Sequence, residues 1–138
     1  MIHSSNFKHI AIMIRKNEIV EISFEFAILI IELSEVLESQ RKYVIAKQLL
    51  KAGTSIGANV REAQSAESKA DFIHKLKIAH KEALETEYWL DLIKYSKHYS
   101  NPSTLIEDKL LSIKKLLNKI ISSAKKNPEH KHYERNNK

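Results

Sequence analysis

Apolar positions recur at three- and four-residue spacing along most of the chain and divide it into four amphipathic segments. From about residue 18 to 38, Ile22, Phe26, Ala27, Ile30, Leu33 and Leu37 share one helical face, and Phe24, Ile28 and Ile31 add a second stripe. Two stripes predict a helix buried on more than one side. From about 42 to 64, Ala46, Leu49, Leu50, Gly53, Ile56, Gly57, Val60 and Gln64 keep the same period without a break. A third helix is predicted from the capping signal Ser68-Lys69-Ala70-Asp71 to about His98. Its face carries Phe72, Leu76, Ala79, Ala83, Leu90 and Ile93, widened by Ile73, His80, Leu84 and Tyr88. The fourth is announced by Asn101-Pro102 and Thr104-x-x-Glu107, with Leu105, Leu110, Ile113, Leu116, Leu117, Ile120, Ile121 and Ala124 on its buried side. No strand pattern and no internal repeat is seen. The prediction is an all-α, up-down-up-down four-helix bundle over residues 18–124, with an N-terminal extension over 1–17 and a basic disordered tail over 125–138.

Gly53 and Gly57 are the only two glycines in 138 residues, and both fall inside the second helical pattern. A phosphate-binding loop would need a preceding strand and a following Lys-Ser/Thr pair, and GTSIGAN has neither. An interior helical glycine costs about 1 kcal/mol relative to alanine, so two on one face need compensation. Close approach of another helix supplies it, with Ala52, Ser55 and Ala58 as small neighbours.

Composition narrows the function. Two glycines and two prolines leave room for few turns, and the absence of cysteine removes disulfides and thiolate metal sites. It fits a reducing compartment, and the cytoplasm is expected. No apolar run spans a membrane, because FAILIIEL is closely flanked by Glu21, Glu25, Glu32 and Glu35. The N-terminal MIHSSNFKHIAIMIRKNE carries its charges after a short apolar patch and no small-residue cleavage site, so no signal peptide is expected. The net charge of +6 suggests an anionic partner, but half of that excess lies in residues 122–138.

Catalytic signals are weak, and neither enzyme activity nor a cofactor is expected. Within the body no Glu precedes a His by three residues, as bundle di-iron sites require, and His130-Lys131-His132 lies in the tail. Glu82, Glu85, Glu87 and Asp91 read as a solvated face. More informative is the charge order of the third helix. Lys69, Lys75, Lys77 and Lys81 precede these acids, which opposes the helix macrodipole except at Asp71. His74, Lys77 and Lys81 share one face, where like charges repel unless an outside partner meets them. That partner is a nucleic-acid backbone or a neighbouring subunit; the alternative is a solvated face with pairs such as Lys81 and Glu85.

The stretch SIGANVREAQSAESKADFIHKLKIAHKEALETEYWLDLI, residues 55–93, resembles the four-helix-bundle family encoded by intervening sequences in bacterial large-subunit ribosomal RNA genes. The likeness extends from FEFA at Phe24 through KQLLKAGTSIGANVREA to the fourth helix. It falls on Gly57, Ala58, Asn59, Arg61 and Glu62 in the second helix and on Ser68, Asp71 and Phe72 at the start of the third. Lys75, Lys81, Glu82, Glu85, Glu87, Tyr88 and Trp89 complete it. The resemblance implies a cyclic homo-oligomer, a pentamer, with no established enzymatic activity. A similar group, the accessory variability proteins of diversity-generating retroelements, works beside a reverse transcriptase and binds RNA through basic residues. The expected function is therefore a non-catalytic oligomeric adaptor for RNA or an RNA-handling protein such as a ribosomal component or reverse transcriptase, with a purely structural homo-oligomer as the alternative. Arg61, Lys69, His74, Lys75, Lys77 and Lys81 are the expected nucleic-acid or partner contacts. Gly53, Gly57, Glu82, Glu85 and Trp89 are the expected helix-packing or subunit contacts, and no residue is assigned to catalysis or metal binding.

Overall fold

A computed structural model describes residues 17–126. These form four helices, α1 (Glu18–Ser39), α2 (Tyr43–Gln64), α3 (Lys69–Tyr95) and α4 (Thr104–Lys126), with no strand among the described residues. Each helix packs on the next, and α4 returns to α1. Successive contacts run in opposite directions along the partners. Ser23 meets Gly57 while Ile30 meets Gly53, and Lys94 pairs with Glu107 while Lys114 pairs with Glu87. The result is an antiparallel four-helix bundle with α1 and α3 on one diagonal.

The ends of the helices show why turns without glycine suffice. The Lys42 N–H donates to the Leu37 carbonyl at 2.8 Å and the Arg41 N–H to the Glu38 carbonyl at 2.9 Å, closing α1 in a Schellman turn. Arg41 adopts φ 63° there, a conformation usually left to glycine. At the start of α3 the Asp71 N–H donates to Ser68 Oγ at 3.0 Å, as the capping signal predicts. The Asp71 carboxylate reaches back one residue further than expected and accepts from the Glu67 N–H at 3.4 Å. Two boundaries differ from the sequence pattern. α3 stops at Tyr95 rather than near His98, because Ser96 turns extended (φ −85°, ψ 137°) once the last apolar core residue, Ile93, has been placed. α4 is capped by Ser103, whose Oγ accepts from the Ile106 N–H at 3.3 Å, so Pro102 lies before the cap and not in the first turn. At its far end α4 includes Lys125 and Lys126, assigned above to the tail; residues 1–16 and 127–138 of the expected extension and tail lie outside the described residues.

The core is filled by Phe26, Ile30 and Leu37 of α1, Leu49 and Ile56 of α2, Leu76 and Ile93 of α3, and Ile113 and Leu117 of α4. Burying each such side chain contributes about 1.5–3 kcal/mol. Small residues let the helices approach: Ala52 and Ala63 of α2 and Ala79 and Ala83 of α3 are buried. On α4, Ile106 takes the buried place predicted for Leu105, which is exposed. α1 corrects the expectation of burial on two sides. Its core stripe passes through Ser23 and Ser34, and Phe24, Ile28 and Ile31 point outward. The second stripe is real, but this chain does not cover it; Leu84 and Tyr88 of α3 are exposed in the same way.

Both glycines lie on the α1–α2 seam. A Cβ on Gly57 would stand 3.3 Å from the Ser23 carbonyl oxygen, and one on Gly53 would stand 2.7 Å from Ile30 Cγ2. No ion pair joins α1 to α2 among the described residues. The other three seams each have one or two, Lys75–Glu62 at 3.0 Å, Lys94–Glu107 at 3.2 Å, Lys109–Glu25 at 2.8 Å and Lys114–Glu87. These pairs are partly exposed and contribute about 0–1 kcal/mol each, so they set register more than stability. The glycine seam instead has the Ser23 backbone against Gly57 and the Ile30 side chain against Gly53. Gly57→Leu is expected to push α1 and α2 apart and to lower stability by about 1–3 kcal/mol. An unchanged melting temperature would mean that α1 does not bear on this position.

Candidate nucleic-acid interface

The expected basic contacts do not form one patch. Lys75 leans toward α2 and pairs with Glu62 inside the chain. Arg61, on α2, lies over the Phe24 ring at 5.1 Å, a cation–π contact across the α1–α2 groove. Lys69 sits in the first turn of α3, half-buried. His74, Lys77 and Lys81 share the outward face of α3 and are exposed. The Lys81–Glu85 pair does not form. Glu85 instead lies beside Glu82, on whose carboxyl Lys81 and Lys51 act in the opposite sense.

What the structure brings together is Lys77 of α3 and Lys125 of α4. The antiparallel course of the two helices sets the last turn of α4 beside the first turns of α3. The Lys77 ammonium beside Lys125 holds it below the ordinary lysine range. Neither ammonium has an ion-pair partner among the described residues. Lys126 is also exposed at this end, and Lys115 and Lys119 are exposed further along α4. Lys115 and Lys119 line a groove against Glu18 and Ile22 of α1. Sequence reasoning missed this face of α4. Its signal was present in the six lysines of Thr104–Lys126, but two of them, Lys109 and Lys114, are held by Glu25 and Glu87, and only the fold separates these from the free ones. α1 is the opposite case, with six glutamates and no lysine or arginine. The bundle is thus electrostatically sided.

The expected packing contacts differ in kind. Gly53 and Gly57 are buried in the α1–α2 seam. Trp89 is half-buried against the core and meets Tyr88 edge to face, with ring centroids 5.4 Å apart. Its Nε1 is buried with no hydrogen-bond partner among the described residues, as is Ser34 Oγ. Among the described residues no group of three or more His, Asp or Glu side chains could hold a metal ion, and no helix is long and apolar enough to cross a membrane.

Residues 15–133 match the family described as 23S rRNA-intervening sequence protein. The chain belongs to this family. The matched stretch takes in all four helices and continues past α4, further than the likeness carried by residues 24 to the fourth helix. A crystal structure at 1.70 Å of a protein of unknown function from the S23 ribosomal protein family of Bacteroides thetaiotaomicron VPI-5482 has a similar fold, with a TM-score of 0.71 and 46% identity. The similarity covers 75% of this chain and 97% of that one. No curated protein matches. The intervening sequence family thus accounts for the fold and for the long SIGANVREA to EYWL stretch. It attaches no chemistry to the lysines.

Glu82 is the one carboxyl near this interface with a clear perturbation. Burial, and then the neighbouring Glu85 carboxylate, push it above the usual range, while Lys81 and Lys51 act in the opposite sense. A carboxyl with a higher pKa in the fold binds its proton more tightly there. The associated stability is complete below the unfolded value and is lost as pH rises through the folded one. Glu82→Gln, uncharged throughout, is therefore expected to raise the melting temperature at about pH 7, with the gain vanishing below about pH 4. A lower melting temperature at neutral pH would show instead that the Glu82 charge supports the fold.

Proposed function

We propose that this intervening sequence protein is a non-catalytic, homo-oligomeric adaptor of the cytoplasm that binds RNA through the basic end of its bundle. The observation that carries the reading is the Lys77 and Lys125 juxtaposition, two ammonium groups brought together by the fold, neither with an ion-pair partner among the described residues. Such an arrangement destabilises the free protein slightly and is relieved by a polyanion. A phosphate backbone fits better than a small anion, because His74 and Lys126 extend the charge along α3 and α4. The family name, which refers to intervening sequences of 23S rRNA, supports RNA as the class of ligand. An RNA-handling protein, such as a ribosomal component or a reverse transcriptase, is the further partner that the adaptor role implies. Assembly as a ring, a pentamer in the arrangement that the resemblance implies, would repeat the basic end around an axis and turn a weak patch into a multivalent surface.

A purely structural homo-oligomer is the second reading, favoured by the exposed apolar stripes of α1 and α3. Affinity for a structured ribosomal RNA fragment, measured over a range of salt, separates the two. Lys77→Glu with Lys125→Glu is expected to weaken binding by about tenfold and to lower the salt slope by about two, since each phosphate contact releases roughly one counterion. Affinity and slope that ignored both changes would favour the structural reading.

A further inference from the structure

The end of the bundle away from Lys77 and Lys125 is built from the α1–α2 and α3–α4 connections, and a cation–π contact ties the two together. Lys42 Nζ lies 4.8 Å from the centre of the Tyr99 ring, and Tyr99 is itself packed against the core. Residues 40–42 and 96–103 contain Arg41, Lys42, Lys97 and His98 and no aspartate or glutamate. Arg41 and Lys97 are exposed, and neither has an ion-pair partner among the described residues. Tyrosine is concentrated here as well. Among the described residues Tyr43, Tyr95 and Tyr99 stand at this end, and only Tyr88 lies elsewhere. Tyr43 opens α2 and is 61% exposed; Tyr95 closes α3 and is 81% exposed.

Arg41 is the least expected of these residues. It holds φ 63° at the close of α1, where glycine fits with less strain, and its guanidinium makes no ion pair, hydrogen bond or ring contact among the described residues. A side chain with five free donors, held in a strained turn, points to a use outside the chain. Charge alone does not identify the ligand. Glu38, Asp91 and Asp108 in the adjoining turns of the helices offset the three cations of the connections, and Glu107 is held by Lys94. An acidic peptide, which offers charge alone, therefore fits less well than a strand whose bases also have faces to stack. We propose that this end binds unpaired nucleotides of an RNA strand, with bases stacked on the Tyr43 and Tyr95 rings and phosphates met by Arg41 and Lys97. The inference rests on the RNA part of the proposed function and adds a second surface and a form of ligand to it. A duplex hides its base faces, so only an unpaired strand can lay them on a ring. Along α3, at about 1.5 Å per residue, Tyr95 lies about 27 Å from Lys77, and a loop beside a stem could reach both ends. The two surfaces draw on different forces. Phosphate contacts at Lys77 and Lys125 release counterions and weaken with salt, whereas stacking on a tyrosine ring is much less sensitive to it.

The probe is a labelled oligouridine of about 10 nucleotides, within the usual size of a single-strand site, compared with a blunt RNA duplex of the same length. Tyr43→Ala with Tyr95→Ala, both at exposed positions, is expected to weaken oligouridine binding by about fivefold or more without lowering the melting temperature. The salt slope and the affinity for the duplex are expected to stay as they were. Arg41→Gly is expected to keep or raise the melting temperature while lowering the oligouridine salt slope by about one, a split that would not arise if Arg41 served only the turn. Oligouridine binding that ignored both changes, or that fell together with duplex binding, would overturn the inference. So would displacement of the probe by polyglutamate as readily as by unlabelled oligouridine, which would mark a site for acidic protein. Oligouridine binding lost only through Lys77→Glu with Lys125→Glu would sink this inference and leave the proposed function standing. A native chain that bound neither RNA at low salt would sink both.

Discussion

The close approach of α1 and α2 at Gly53 and Gly57 is the constraint on which the rest of the bundle depends. With the Ser23 carbonyl 3.3 Å from where a Gly57 Cβ would stand, the two helices touch through backbone at that point, and Gly53 leaves room for the Ile30 side chain. That spacing decides which residues of α1 face inward. Ser23, Phe26 and Ile30 enter the core, and Phe24, Ile28 and Ile31 turn out to solvent.

Charge follows the same geometry. α1 is uniformly acidic, even in its last turn, where Glu35 and Glu38 oppose the helix dipole; the α4 lysines at Lys125 and Lys126 agree with it. The α4–α1 seam brings opposite signs together at Lys109–Glu25, while the α3–α4 end brings like signs together at Lys77 and Lys125. A bundle that needed only to fold would gain little from the second arrangement. Its positions suit an external anion, just as the apolar stripes of α1 and α3 suit an external copy. In the proposed function, binding of RNA and self-assembly would draw on different surfaces.

Much of this was legible in the residues themselves. The starts of α1, α2 and α3 fall within a residue of the places that periodicity and the Ser68 cap indicate, and the four-residue spacing of the glycines pointed to a helix seam. The end of α3 was not legible, because Lys97 and His98 contain no helix breaker and only the completion of the core at Ile93 ends the helix. The outward direction of Phe24, Ile28 and Ile31 was also hidden: apolar character shows that a residue prefers burial, not which molecule buries it. The basic face of α4 was missed since lysines alternate there between intramolecular partners and solvent, a distinction that exists only once Glu25 and Glu87 are in place. Lys125 and Lys126, read as tail, prove to be the last turn of α4.

The most direct measurement is the mass of the unmodified chain in solution at about 0.15 M salt, where the Debye length is about 8 Å, with and without a structured 23S rRNA fragment. A single species several times the 16.0 kDa chain mass, which shifts onto the RNA without changing its subunit number, is the expected result. A monomer under these conditions, or an oligomer that leaves the RNA free, would contradict the adaptor function.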